Sequence, residues 1–343
     1  LNKIWLFLVR SYIKLGLFFY YRRISVAMQE SIPKDEAVIF LGNHQNALMD
    51  ALIIAVKNGR FVYFLTRASV FSNPLVAKIL KSLWMLPVYR VRDGWNTISK
   101  NDGIFKTCSK LLHSDNAVTI FPEGNHNLKR MVRPLSKGFT RIVFETLERY
   151  PDTKLSLIPV GINYENAEGY ANGVFLNFGQ TIEVTSKDTM KSPNMAQQIK
   201  TRVHEELCAL TTHIDSEHYE NTLQRLEENN VDFLNPIAAN QYISSNFDAK
   251  NLQTGRQDGL PKHFFMGLLK CVLLPTYLVW KRALLPKIKE REFVSTFRFA
   301  VAITLIPLYL ILTTLLVGGL LGTPIAGVYF VGILLIALLA VKL

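Results

Sequence analysis

"AVIFLGNHQNALMDALIIAVK", residues 37–57, passes from an apolar run through a short polar loop to a helical pattern. Its first six residues, 37–42, form an unbroken apolar run of the kind a strand buried on both faces requires. From Ala47 to Lys57 the apolar residues fall at helical spacing. Between the two lies a short polar loop carrying His44, with Asp50 six residues further on. Strand, loop and helix in that order make half of a βαβ unit. The pattern then repeats. "FVYFLT" (61–66), "AVTIF" (117–121), "LSLIPVGINY" (155–164) and "GVFLNFG" (173–179) read as strands. "PLVAKILKSL" (74–83) opens on proline, as helices do, and residues 96–113, 135–149 and 193–213 also carry helical periodicity. The alternation predicts an α/β fold, a mostly parallel sheet flanked by helices.

Composition limits what such a fold is used for. The 343 residues are 49% hydrophobic with a mean hydropathy of +0.16, too apolar for disorder and high for a single soluble domain. A net charge of +12 suits nucleic acid, an anionic membrane surface or anionic substrates. No zinc-finger spacing or aromatic RNA-binding signature is found, and the apolar segments tip the balance from nucleic acid toward a membrane and phosphate-bearing ligands. Cys108, Cys208 and Cys271 are far apart and form neither a disulfide framework nor a metal motif, so they read as structural thiols.

The apolar segments point to a lipid membrane. Residues 299–341 contain no Asp, Glu, Lys or Arg, a run of 43. One membrane pass needs about 20 apolar residues, so the run holds two. Gly318-Gly319 and Gly322-Thr323-Pro324 supply the break. A transmembrane helical hairpin over about 299–318 and 324–341 is expected, and a buried core hairpin is the alternative. Basic residues before it, from Lys281 to Arg298, and Lys342 after it place both ends on the cytoplasmic side. Lys270, Lys281 and Arg282 interrupt the apolar character of 263–285, which suits an interfacial or re-entrant segment. The first residues, "NKIWLFLVRSYIKLGLFFYYRR", mix aromatic and basic side chains without a small-residue cleavage site. They read as an amphipathic helix at the membrane interface, or else as a core helix of the domain. The resulting organisation is an interfacial helix at 1–29, an α/β domain at 30–215, a polar helical and loop linker at 216–262, an interfacial or re-entrant basic segment at 263–298, and a two-helix transmembrane hairpin at 299–343.

Two loops carry candidate chemistry. His44 stands at a strand-to-helix loop, where a side chain can face a ligand. A histidine there can take a proton from a hydroxyl, and an aspartate can hold the imidazole tautomer. By itself the pair is also what an ordinary loop contains. In "FPEGN", 121–125, a proline fixes the strand exit, Glu123 offers an acceptor and Gly124 permits close backbone approach. His126 adds a donor. A plain turn with a solvated glutamate reads equally well. Arg90, Arg92 and Arg133 are suited to phosphate oxygens, whereas Lys129 and Arg130 suit a surface. There is no G-x-S-x-G, Walker loop or G-x-G-x-x-G, and "HEELC" (204–208) lacks the second histidine of a metalloprotease helix.

Taken in order, "NH" with a following Asp, "LPVYR" (86–90), "FPEG" (121–124) and "LIPVGI" (157–162) resemble the four blocks of the glycerolipid O-acyltransferase superfamily, which includes glycerol-3-phosphate and lysophosphatidate acyltransferases. The resemblance covers residues 30–215. It implies a membrane-bound enzyme that moves a fatty acyl group from acyl-CoA or acyl-carrier protein to a hydroxyl of glycerol-3-phosphate or a lysophospholipid, with no metal or organic cofactor. His44 would be the general base and Asp50 its orienting carboxylate. Arg90, Arg92, Glu123, Gly124, His126 and Arg133 would bind the acceptor and its phosphate. Pro159 and Val160 would line the acyl site. The sequence departs from the family at two points. Five residues, not four, separate His44 from Asp50, and Asn125-His126-Asn127 replaces the block's Thr-Arg-Ser, removing an arginine. Fungal-type glycerol-3-phosphate acyltransferases are similar on both points. An acceptor without phosphate, such as an amino-acid lipid, and a non-catalytic lipid-binding protein are the alternatives.

Overall fold

The computed structural model describes residues 2–90, 99–191 and 194–343. Arg92 lies outside the described residues. An eight-stranded mixed sheet organises the domain: β1 (Arg23–Met28), β2 (Ala37–Gly42), β3 (Val62–Arg67), β4 (Met85–Val88), β5 (Ala117–Ile120), β6 (Leu155–Tyr164), β7 (Gly173–Phe178) and β8 (Ile182–Val184). The order is β1-β7-β6-β2-β5-β3-β4, with β8 also on β6. From β6 through β4 the strands are parallel, and β7 and β8 run antiparallel to β6. The fold is therefore α/β with a mostly parallel sheet, as the alternation predicts.

Both faces are covered. On β2, Ala37, Ile39 and Leu41 point into one apolar cluster, shared with α4 (Asn101–His113), α5 (Gly138–Arg149) and α7 (Met195–Leu210). Val38 and Phe40 point into the other, shared with α1 (Asn2–Tyr20), α2 (Ala47–Lys57) and Phe299. All six β2 residues are buried, which is why the strand reads as a continuous apolar run. Short helices α3 (Pro74–Ser82) and α6 (Ser186–Lys191) complete the domain.

The structure changes several boundaries. The helix predicted over 1–29 ends at Tyr20, and Arg23–Met28 is an edge strand paired with β7. Residues 216–262 are more than a linker. Here α8 (Tyr219–Glu228) and α9 (Pro236–Ser244) bury their own apolar cluster around Tyr219, Leu226, Val231 and Tyr242. Their remaining faces are polar, which hid that core in the composition. Next come α10 (Leu260–Val272) and α11 (Leu274–Leu278), bent by 92° where they meet.

The C-terminal run forms α12 (Val294–Ile303), α13 (Leu305–Leu321) and α14 (Thr323–Lys342). Residues 291–321 and 323–342 are each long and apolar enough to cross a membrane. Gly322, at φ 89°, makes the turn between them. The hairpin is joined to the domain through α12. Phe299 packs edge-on against Tyr20, and Ser295 Oγ donates to the Ala167 carbonyl at 2.6 Å.

Candidate active site

The residues singled out from sequence gather at the carboxyl ends of the parallel strands, where α/β sheets place ligands. His44 follows β2, Arg90 follows β4 and Glu123 follows β5. The β2 end is held by Asn43, whose side chain accepts from Ile162 N–H at 2.7 Å and donates to its carbonyl at 3.1 Å. Nothing in the sequence pattern marks Asn43, because its partner lies on another strand.

His44 Nδ1 lies 2.9 Å from Asp50 Oδ2. Helix α2 starts only at Ala47, so Asp50 sits in its first turn. Ala47 has φ 41°, left-handed for a residue with a Cβ, and this turn brings the carboxylate back to the histidine across five intervening residues. Asp50 is wholly buried and takes two further donors, Asn46 N–H at 2.8 Å and the Tyr164 hydroxyl at 2.6 Å. These donors replace the water that burial takes from the carboxylate. Burial, with the Asp50 charge beside it, holds the Tyr164 phenol well above its ordinary value, so it stays a donor. Tyr164 was not picked out from the sequence, since its role depends on the far end of β6.

With Nδ1–H directed to Asp50, the neutral tautomer leaves Nε2 as the basic nitrogen. The His44 ring stacks on Phe121 at 4.1 Å and meets His126 edge-on at 5.5 Å. The Phe121–Gly124 turn closes with a Gly124 N–H bond to the Phe121 carbonyl, and Gly124 takes the left-handed φ of 77° that glycine accommodates. Glu123 faces inward. It accepts from His44 N–H at 3.1 Å and from Arg133 Nε at 2.5 Å. Burial pushes the Glu123 carboxyl above the usual carboxylate range, and the Arg133 guanidinium and His44 amide pull it back.

Arg133 is occupied by the protein itself. Beyond Glu123, its guanidinium donates to the Asn125 side chain and carbonyl. Arg90 donates to the Gly124 carbonyl at 2.7 Å, bracing the turn. Arg130, read as a surface cation, is half-buried instead. It caps the Tyr164 and Glu165 carbonyls at 2.8 and 2.9 Å and stacks on Phe233. Burial brings its pKa down to about 10. Val160 does not line a ligand surface: it is fully buried in the core beneath α1 and α2, and Pro159 is buried beside it in β6. The sheet runs through these two residues, so their side chains serve packing.

One group of residues near the site suits a metal ion. His126, Glu290 and Glu292 place ligand atoms within 4.8 Å of one another, and His126 Nε2 lies 3.1 Å from Glu290. His126 also packs edge-on against Phe293. The start of the first apolar span and the residue before it thus pack on His126, which in turn meets His44; the His126–Glu290 contact joins residues 164 apart and is not revealed by sequence alone.

Residues 23–163 match the Acyltransferase family model. An uncharacterized acyltransferase of Schizosaccharomyces pombe is 30% identical over 70 residues, 20% of this chain and 10% of the relative. Glycerol-3-phosphate O-acyltransferase 1 of Saccharomyces cerevisiae is 26% identical over 83 residues, 24% of this chain and 11% of the relative. A 1-acyl-sn-glycerol-3-phosphate acyltransferase of Borreliella burgdorferi is 25% identical over 177 residues, 52% of this chain and 65% of the relative. The chain therefore spans a small part of the two fungal relatives and under two thirds of the bacterial one. The crystal structure of the 1-acyl-sn-glycerophosphate (LPA) acyltransferase from Thermotoga maritima aligns with a TM-score of 0.42 at 21% identity, covering 61% of this chain and 81% of that one.

Proposed function

We propose that residues 23–163, an acyltransferase-family domain, form the catalytic part of a membrane-bound enzyme that moves a fatty acyl group onto a hydroxyl of a glycerophosphate-type acceptor. The observation that carries this reading is the His44–Asp50 pair, held at 2.9 Å beside the Phe121–Gly124 turn at the carboxyl ends of the central strands. His44 Nε2 removes the proton from the acceptor hydroxyl. The oxygen attacks the thioester carbonyl of acyl-CoA or acyl-carrier protein. The tetrahedral intermediate collapses with cleavage of the C–S bond, and the thiolate leaves with the proton carried on His44. Asp50 is a positioning residue: it fixes the tautomer and balances the imidazolium. Glu123 holds the His44 backbone from the other side. Arg90 and Gly124 border the acceptor, and Arg92 joins them in this reading. Two apolar spans keep the enzyme where acyl products partition, and the catalytic domain faces the cytoplasm.

A second reading, an acceptor without phosphate such as an amino-acid lipid, is favoured by the engaged cations. Arg133 is spent on Glu123 and Asn125, while Glu290 and Glu292 stand beside His126. Purified protein in detergent, given either acyl donor and a panel of glycerol-3-phosphate, lysophosphatidate and amino-acid lipid acceptors, separates the two. Mass spectrometry is expected to find an ester on a phosphate-bearing acceptor. Product on the amino-acid lipid alone selects the second reading, and no product from any pair overturns both.

A further inference from the structure

The helix α3 has no buried residue, although five of its nine residues are apolar. Leu75 is 68% exposed and Ile79 49%, with Val76 exposed beside them. At roughly 100° per residue these three share one arc of about 100°, and Lys78 and Lys81 flank that arc on one side. Asn73 and Pro74 start the helix properly, since the Asn73 side chain accepts from Leu75 and Val76 N–H. It is a well-formed helix with an uncovered apolar face. The one-turn 3₁₀ segment before it, Ala68–Phe71, also has no buried residue and exposes Val70.

The same is true of α1. One side, with Leu6, Leu17 and Tyr20, is buried against the domain. The opposite side exposes Ile4, Leu8 and Leu15, with Ile4 at 67%. A helix apolar on both sides is covered on both sides. What covers it follows from its neighbours. At its C-terminal end α1 packs so closely on α12 that a Cβ on Gly16 would meet Ile303 at 2.5 Å and Phe299 at 3.1 Å. Lys342, at the end of the second apolar span, lies 4.0 Å over the Phe18 ring. At its N-terminal end the Trp5 indole donates to Ser82 of α3 at 3.2 Å. The apolar surface is therefore continuous from the hairpin along α1 to α3.

Charge follows the same path. Residues 1–29 and 61–92 contain no Asp or Glu, and each carries five Lys or Arg. Juxtaposed cations beside apolar anchors fit an anionic lipid surface.

We propose that α3 and the 3₁₀ turn before it are a membrane-docking element of the α/β domain: α3 lies in the plane of an anionic bilayer with Leu75, Val76 and Ile79 in the acyl boundary and Lys78 and Lys81 at the headgroups. The contact is independent of the catalytic reading.

The test uses the full chain, with Cys208 and Cys271 replaced by serine, in vesicles of phosphatidylcholine and phosphatidylglycerol. Single cysteines Leu75→Cys, Ile79→Cys and, as a water-exposed control on α4, Lys106→Cys are spin-labelled. Collision with oxygen and with a neutral nickel chelate is then compared. Labels at 75 and 79 are expected to collide with the chelate about tenfold less than the label at 106, and to favour oxygen. Labels at 75 and 79 that match 106 would overturn the proposal. So would spin–spin broadening at 75 or 79 that disappears on dilution with unlabelled chain, because the face would then be covered by a second copy.

Discussion

At the scale of single residues the site rests on how Asp50 reaches His44. The extra residue between them is absorbed at Ala47, whose left-handed φ of 41° costs about 1–2 kcal/mol in a residue with a Cβ. Ala47→Gly is expected to keep activity and leave stability unchanged or slightly raised, whereas Ala47→Val should lower the melting midpoint and activity together. Thermal unfolding in detergent, run beside a turnover assay, checks both. Tyr164→Phe removes one of three donors from a buried carboxylate and should cost about 1–3 kcal/mol. If Tyr164 positions the pair, kcat falls while KM for the acceptor holds; a purely structural role would show in the midpoint alone. His44, Asp50, Glu123 and Gly124 were singled out through the family resemblance, since each loop alone reads as an ordinary turn. Asn43, Asn46 and Tyr164 were not: Asn43 and Asn46 bind Ile162 of β6 and Ala167 of the loop after it, and Tyr164 reaches Asp50 from the end of β6. Arg133 was legible as a cation, but its commitment to Glu123 depends on a loop path that composition does not encode.

At the scale of elements, strand ends set the geometry. Gly42 closes β2 directly under the site, and a Cβ there would lie 3.0 Å from the Phe121 ring on which His44 stacks. Gly42→Ala should fold, displace that ring and lower kcat by about tenfold, in line with the cost of small misplacements of a catalytic group. Gly161 allows no such latitude. Its Cβ would fall 2.3 Å from the Leu210 carbonyl oxygen, so Gly161→Ala is expected to abolish the folded domain, measurable as loss of the cooperative unfolding transition. Strands β2, β5, β6 and β7 could be read directly, since nearly all their residues are buried. β1 was hidden in an aromatic and basic segment, and its residues are only half-buried at the sheet edge. β4 contains Pro87, which suits an edge strand and weakens the pattern. β8 has three residues, too few for any period to show.

At the scale of the whole molecule, the apolar hairpin and the α/β domain form one packed unit. Phe299 is 2% exposed and belongs to the same cluster as Leu17, Tyr20 and Phe40. Phe299→Ala should therefore destabilise the domain by about 3–5 kcal/mol, as loss of a fully buried phenylalanine does elsewhere. Unfolding in detergent followed by an α/β-domain probe is expected to register that loss; an unchanged midpoint would mean that the hairpin is only a tether. The apolar spans were legible from the absence of charge over residues 299–341. Their contact with the site, through Glu290 and Phe293 on His126, was not. Proton transfer by His44 in acyl transfer is tested by kcat/KM for wild type and His44→Ala with the best acceptor. A loss of about 10²–10⁴-fold with an unchanged melting midpoint is expected. Equal turnover by the folded variant would contradict it.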